Sequence, residues 1–251
     1  ILRYGGVINF DALVTDFIIE KDRIKGVIIN DRDEHFAKAV ILATGHSARD
    51  IFELLHRKDI TIENKSYALG VRIEHPQPLV DAIQYRQSKR EENLPAASYK
   101  LVCQVGPRGV FSFCMCPGGL VVPAATAPGE IVINGMSMSR RDSPYANSGT
   151  VVTGEPDDLA DYKKHGVFAG LEFQKAVEQR VFQYGDGGQQ APAQRLTDFV
   201  AGRVSRSLPG SSYIPGLYAA PVHELLPDFI AKTLRAGIRQ FGKKMKGYHT
   251  S

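Results

Sequence analysis

The stretch Val40-Ile41-Leu42-Ala43-Thr44-Gly45-His46-Ser47 limits the possible folds more than any other part of the chain. Counting from Ala39, five apolar residues run without a break into a Thr-Gly pair. Such a run, closed by a turn signal, predicts a strand buried on both faces, as in a parallel sheet covered by helices. Ser47 then reads as a helix N-cap, with Asp50 three residues later near the free first-turn amides. Ile51, Phe52, Leu54 and Leu55 give that helix an apolar face. A glycine at the strand end lets a ligand approach the backbone closely, and ligands of open α/β sheets lie beyond the carboxyl ends of such strands. The same residues also suit a plain strand-turn-helix with no ligand.

The preceding residues add context. Leu13 to Glu20 and Arg23 to Asn30 alternate like strands around the polar pair Lys21-Asp22, and His35 to Ala39 leads into the apolar run. An antiparallel meander feeding a strand that ends at Ala-Thr-Gly resembles the interior of the FAD domain in the two-dinucleotide-binding-domain flavoproteins. The resemblance implies that Ala43, Thr44 and Gly45 lie near the FAD and that the backbone of Val14 contacts the adenine. His46, directly after the turn, is either a further cofactor contact or bonded to nearby backbone.

A chain of 251 residues holds one large domain or two small ones. With 43% hydrophobic and 23% charged residues it has the composition of a soluble globular protein. Its net charge of +4 is modest, and the basic clusters Lys89-Arg90, Arg140-Arg141 and Lys243-Lys244-Met245-Lys246 are short. They read as solvated faces, so no nucleic-acid partner is expected. Without an apolar run of about 18 residues or a signal peptide, no membrane partner and a cytoplasmic location are expected. Three cysteines argue against a disulfide framework. The chain opens on Ile1, which suggests a piece of something longer.

Along the chain, Gly5 to Phe10 suggests a turn and short strand, Ile60 to Glu63 another, and Ser66 to Glu74 a longer one stopped by Pro76 and Pro78. Leu79 to Tyr85 predicts a helix, and Arg86 to Ala97 a surface loop. Strands are predicted over Tyr99–Val105, Val110–Cys114, Leu120–Val122 and Ile131–Asn134, separated by Gly106-Pro107, Pro117-Gly118-Gly119 and Pro128-Gly129. Ser139 to Ser148 reads as polar loop, with Val151 to Thr153 as one more strand. From Asp157 the period becomes helical: Val167 to Tyr184, a short helix at Leu196 to Val200, a loop from Ser207 to Pro221, and a final helix from His223 to Lys246. Gly185-Asp186-Gly187-Gly188 follows a helix and opens none, so it is not a phosphate loop.

Cys114-Met115-Cys116-Pro117-Gly118-Gly119 is the least ordinary cluster. On a regular strand, Cys114 and Cys116 point to one face. Zinc is disfavoured by the spacing and by the lack of a compact histidine partner, so no metal is expected. The cysteines are then either small buried hydrophobes or catalytic groups facing a flavin or substrate. Gly118 and Gly119 leave room for a ligand to lie against the backbone. Arg140 and Arg141, on a loop rich in donors, either bind a substrate carboxylate or phosphate, pair with Asp142, or are solvent-exposed. His75 and His223 have no visible partner and read as structural.

Val40 to Asp50, Gly70 to Pro76, Phe113 to Gly119, Asn134 to Ser137 and Leu196 to Phe199 together resemble the FAD-dependent dehydrogenases described as NAD(FAD)-utilising, across essentially the whole chain. The resemblance implies a flavin-dependent oxidoreductase with FAD as cofactor, NAD(P) as a possible partner and a small-molecule substrate. Two of that family's features are absent: the amino-terminal Gly-x-Gly-x-x-Gly loop that cradles the FAD diphosphate, and the Gly-rich segment near its carboxyl end. The expectation is an internal fragment, itself inactive and binding FAD weakly or not at all. Residues 1–57 would be a partial FAD-binding domain and 58–251 a substrate-type domain of antiparallel strands and helices, giving an α+β or mixed α/β fold. A ligand-binding or interaction module without redox activity, derived from the same fold, is the alternative.

Overall fold

Lys21 and Asp22 both adopt positive φ, 48° and 61°, the two-residue turn whose twist matches a hairpin. It joins β1 (Val14–Glu20) to β2 (Arg23–Ile29), and β3 (Asp33–Phe36) completes an antiparallel meander. In this computed structural model, which describes residues 1–250, the meander and α1 (Arg49–Arg57) belong to a compact unit, Ile1–Glu63. Phe17 of β1 and Ile51 and Leu54 of α1 are its buried centre, the helix presenting the apolar face that its spacing predicts. Lys58 ties the end of α1 to β1 through the Asp16 carboxylate at 2.8 Å.

The expected buried strand at residues 39–44 does not form. Ile41 is 88% and Leu42 46% exposed, and among the described residues the backbone from Lys38 to His46 makes no backbone hydrogen bond. A parallel strand needs neighbours, and every strand of this unit is committed to the antiparallel meander. α1 is capped at Ala48 with no side-chain bond, so Ser47 is not its N-cap. The short strands expected near Val7 and Ile60 are also absent. Val7 and Phe10 are exposed and have no face to bury.

The second unit begins at Asn64. Its elements are β4 (Tyr67–Pro76), α2 (Gln77–Tyr85), β5 (Val102–Val105), β6 (Arg108–Cys116), β7 (Gly119–Pro123), β8 (Ile133–Ser137), β9 (Tyr145–Gly154), α3 (Ala169–Tyr184), β10 (Ala191–Ala193), α4 (Leu196–Ala201), β11 (Leu217–Ala219), α5 (Val222–Leu225) and α6 (Asp228–Lys244). Four strands form an antiparallel sheet in the order β4-β9-β6-β5, while β7 and β8 form an antiparallel ribbon and β10 and β11 a short parallel pair. Helices with mainly antiparallel sheets make the fold α+β, as expected.

One face of the four-stranded sheet carries the main core. Ile73, Val110, Ala146 and Val152 pack there against Ile230, Leu234, Ile238 and Phe241 of α6, whose spacing places them on one stripe. Full burial of each such side chain is worth about 1.5–3 kcal/mol. The buried hydroxyls of this face are paired: Tyr99 Oη lies 2.8 Å from Ser148 Oγ, and Tyr248 Oη 3.2 Å from Thr150 Oγ1. His75 sits among the same rings, with Nε2 2.8 Å from the Tyr248 carbonyl, which requires the proton on Nε2. Burial lowers its pKa, so a structural role fits it.

Several boundaries differ from the sequence reading. β9 runs through residues 145–148, where a polar loop is expected. Leu226-Pro227 separates α5 from α6, because proline cannot donate within a helix. A 3-10 segment, Pro156–Phe168, broken at Gly166, precedes α3. β10 and β11 are not anticipated in the sequence at all.

Candidate functional site

The opposite face of the sheet is mixed: Val102, Phe111, Phe113 and Val151 lie on it toward β5 and β6, and polar groups gather toward β4. Arg72 and Glu74 alternate outward from β4 between the core residues Val71, Ile73 and His75. Across the ladder they pair with Gly149 and Asn147 of β9, and Asn147 in turn pairs with Cys116 of β6. Glu74 accepts hydrogen bonds from the backbone N–H of Ser212 at 3.1 Å and from the Ser212 hydroxyl, which itself accepts the N–H of Val121 at 2.8 Å. A surface loop and β7 are thereby fixed to this face.

Cys114 and Cys116 do not share a face. Phe113 pairs with Gly149 and Cys116 with Asn147, so β6 spends three steps where β9 spends two. That is a β-bulge, and Cys114 lies in it at φ 46°. The extra residue reverses the alternation. Cys114 is exposed while Cys116 is 5% exposed. The Cys116 thiol lies 3.4 Å from the Cys114 carbonyl and donates to it, and the Arg72 guanidinium donates to the same carbonyl at 2.8 Å. Burial pushes the Cys116 thiol up, more than the neighbouring Arg72 charge lowers it, so Cys116 is a protonated thiol at neutral pH. Among the described residues no group of three or more His, Cys, Asp or Glu is placed to hold a metal ion.

The space beside Gly118 and Gly119 is filled by the chain itself, where the sequence reading leaves room for a ligand. Gly118 has φ 52°, and a Cβ there would overlap the Arg141 carbonyl. A Cβ on Gly119 would lie 2.6 Å from the Met136 carbonyl. The amide of Gly118 donates to Gln77 Oε1 at 2.6 Å. Both glycines are buried and let the β6–β7 turn and the β8–β9 loop cross closely. Arg140 and Arg141 are exposed on that loop, with the Arg141 amide bonded to the Met138 carbonyl at 3.0 Å. Neither pairs with Asp142.

Two residues of this face escape the sequence reading. Asn147 is fully buried, yet both atoms of its side-chain amide lack a protein partner. Each such group costs about 1–3 kcal/mol when left unsatisfied, so a bound water or a ligand atom is the natural partner. Gly135 admits it there, because a Cβ at Gly135 would overlap both the Arg72 guanidinium and the Asn147 amide. No local signal marks Asn147, since its role depends on the register of three strands. His223 bonds to the Gln194 side chain through Nδ1, which fits the structural reading.

In the first unit, Ala43, Thr44, Gly45 and His46 are all exposed. Gly45 has φ 79° with open space around it. Val14 starts β1, an edge strand of the meander.

This is an α+β chain whose larger unit carries a helix-backed antiparallel sheet with Arg72, Glu74 and Asn147 grouped on its opposite face. It belongs to the family described as FAD-dependent protein, C-terminal domain-like, whose model matches residues 66–251. It is also 40% identical over 252 residues to an uncharacterized protein of Clostridium beijerinckii, covering 99% of this chain and 46% of that protein. The chain thus spans about half the length of the curated relative it matches.

The first unit leaves backbone open to a ligand at two places. The exposed turn at Thr44-Gly45 accepts close approach, and the β1 edge offers backbone groups. The diphosphate of FAD fits poorly at the N-terminus of α1, where Asp50 stands in the first turn and would repel an anion. Among the described residues no helix is long and apolar enough to cross a membrane.

Proposed function

We propose that this chain is the interior of a longer flavin-dependent oxidoreductase, a dehydrogenase of a small-molecule substrate with FAD as electron carrier and a nicotinamide nucleotide as partner. The observation that carries this reading is the family match over residues 66–251, joined in the same chain to an exposed apolar run that ends in a left-handed glycine. The run from Ala39 to Ala43 has the composition of a sheet interior and the exposure of a surface. In the longer protein it pairs with strands supplied from outside this chain, and its exposed apolar side chains become buried.

Val14, Ala43, Thr44, Gly45 and His46 then border the FAD. Bound FAD supplies the redox chemistry, and the protein supplies position and exclusion of water. On the substrate side, Cys114 is the thiol free to meet flavin or substrate, while Cys116 and Arg72 hold the bulge that presents it. Gly118 and Gly119 shape the turn behind it. Arg140 and Arg141 stand on the neighbouring loop with forks suited to a carboxylate or phosphate. The first unit acts with the FAD domain and the second as the substrate-type domain, the division falling at Glu63 and not at residue 57.

The test is the visible absorption of the purified full-length protein. A flavin spectrum is expected, bleached by a nicotinamide nucleotide. A full-length protein that takes up no FAD favours the non-redox binding module instead.

A further inference from the structure

The loop that follows α4 builds a second polar concavity, separate from the sheet face. It is a cavity of about 570 Å³ lined by Arg195, Asp198, Arg203, Val204, Arg206 and Ser207, a volume typical of small-molecule sites. The loop is fixed from inside. Ser205, 4% exposed, accepts the Arg195 backbone N–H at 2.8 Å and donates to the Asp198 carboxylate at 2.9 Å. Gln194 donates to the Arg203 carbonyl. The Arg195 side chain donates to the Ser207 carbonyl at 2.8 Å and to its hydroxyl at 3.2 Å.

Charge is unbalanced here. Three guanidinium groups face one carboxylate, an excess of two positive charges in the lining. Both oxygens of Asp198 are already engaged, one by Arg203 at 3.0 Å and the other by Ser205. Arg206 is exposed and makes no hydrogen bond or ion pair among the described residues. Two more guanidinium groups, Arg235 and Arg239, donate to the Val200 carbonyl at the end of α4, at 3.1 and 2.9 Å, and Arg235 lies against Gly202. A solvated basic face needs neither a concavity nor a pinned loop. Guanidinium forks match the oxygens of phosphate in pairs, and a recess concentrates their field. A dianion matches the net excess of two positive charges, with Arg206 as the guanidinium not already engaged.

We infer that this cavity binds the dianionic phosphate monoester of a small molecule. Two sources share that chemistry: the 2′-phosphate of a nicotinamide nucleotide and a phosphorylated substrate. The inference does not rest on the flavin reading, because binding here requires no turnover and no FAD.

Calorimetric titration of the purified 251-residue chain with inorganic phosphate, NADPH and NADH at low salt tests it. Saturable binding is expected, falling steeply as salt rises. Arg206→Gln should weaken it at least about tenfold, the loss of one charge-assisted bond. That side chain is exposed and makes no hydrogen bond or ion pair among the described residues, so the variant should keep the parent thermal melt. NADPH binding about tenfold or more tighter than NADH supports the nucleotide source. Saturable, Arg206-dependent phosphate binding with no preference for NADPH supports a phosphorylated substrate. A chain that saturates with neither phosphate nor NADPH overturns the inference, as does a natively folded Arg206→Gln variant that binds them as tightly as the parent chain.

Discussion

Cys114 and Cys116 are two positions apart and occupy opposite environments. One extra residue in β6 turns Cys114 out at φ 46° and Cys116 in. Sequence spacing alone places them together, since a bulge has no reliable signature in a single sequence. The consequence is chemical. The buried thiols of Cys103 and Cys116 are both pushed up by burial, and only a thiolate attacks a disulfide reagent quickly. At neutral pH an aromatic disulfide reagent should label about one thiol quickly in the native chain. Cys114→Ser should abolish the fast phase and Cys116→Ser should retain it. Two fast thiols would show that the pair shares one accessible face after all.

At the scale of elements, strands with alternating apolar residues and clear turn punctuation were legible. The meander, β4, β6, β7 and the α6 stripe fall close to where their patterns place them. β9 was not fully legible. Its residues Ala146 to Thr150 are small or polar because hydroxyls from Tyr99 and Tyr248 meet one face and the Gly135 backbone approaches the other. Arg108 joins the neighbouring elements. It pairs with both oxygens of Asp158, 2.7 Å at Nη1, donates to the Thr153 carbonyl at 3.1 Å, and lies 4.6 Å from the centroid of the Phe229 ring. β6, β9, the 3-10 segment and α6 therefore meet at one planar cation that lysine cannot imitate. Arg108→Lys should cost about 2–4 kcal/mol, read as a lower denaturant midpoint, given that a half-broken, largely buried pair leaves a carboxylate unmatched. Arg108 holds the Asp158 carboxyl below its ordinary 3.8. Its folded pKa is therefore depressed, and its contribution is present above about pH 4 and lost as pH falls through the folded value. The gap between parent and variant should narrow in that acid range. A midpoint unchanged by Arg108→Lys would show that the four elements do not depend on this contact.

At the scale of the whole molecule, the α+β class and membership of an FAD-dependent protein family were legible because several motifs stand in one order, and the family model covers the region from Ser66 onward. The apolar run before Gly45 misled the local reading for a physical reason. Its composition matches that of a buried strand, while the strands of this unit all belong to an antiparallel meander, and Ile41 is 88% exposed. The same mismatch sets an expectation for the cofactor. On the proposed reading, a site holding FAD by one edge lacks backbone donors to the diphosphate. Losing three charge-assisted hydrogen bonds removes roughly 4–9 kcal/mol, or about three to six orders of magnitude in affinity. The most direct measurement is a titration of FAD into the purified 251-residue chain beside the longer protein proposed above, followed by flavin fluorescence. The account predicts tight uptake by the longer protein and binding in the millimolar range or weaker by this chain. Saturable micromolar binding by the 251 residues alone would contradict it.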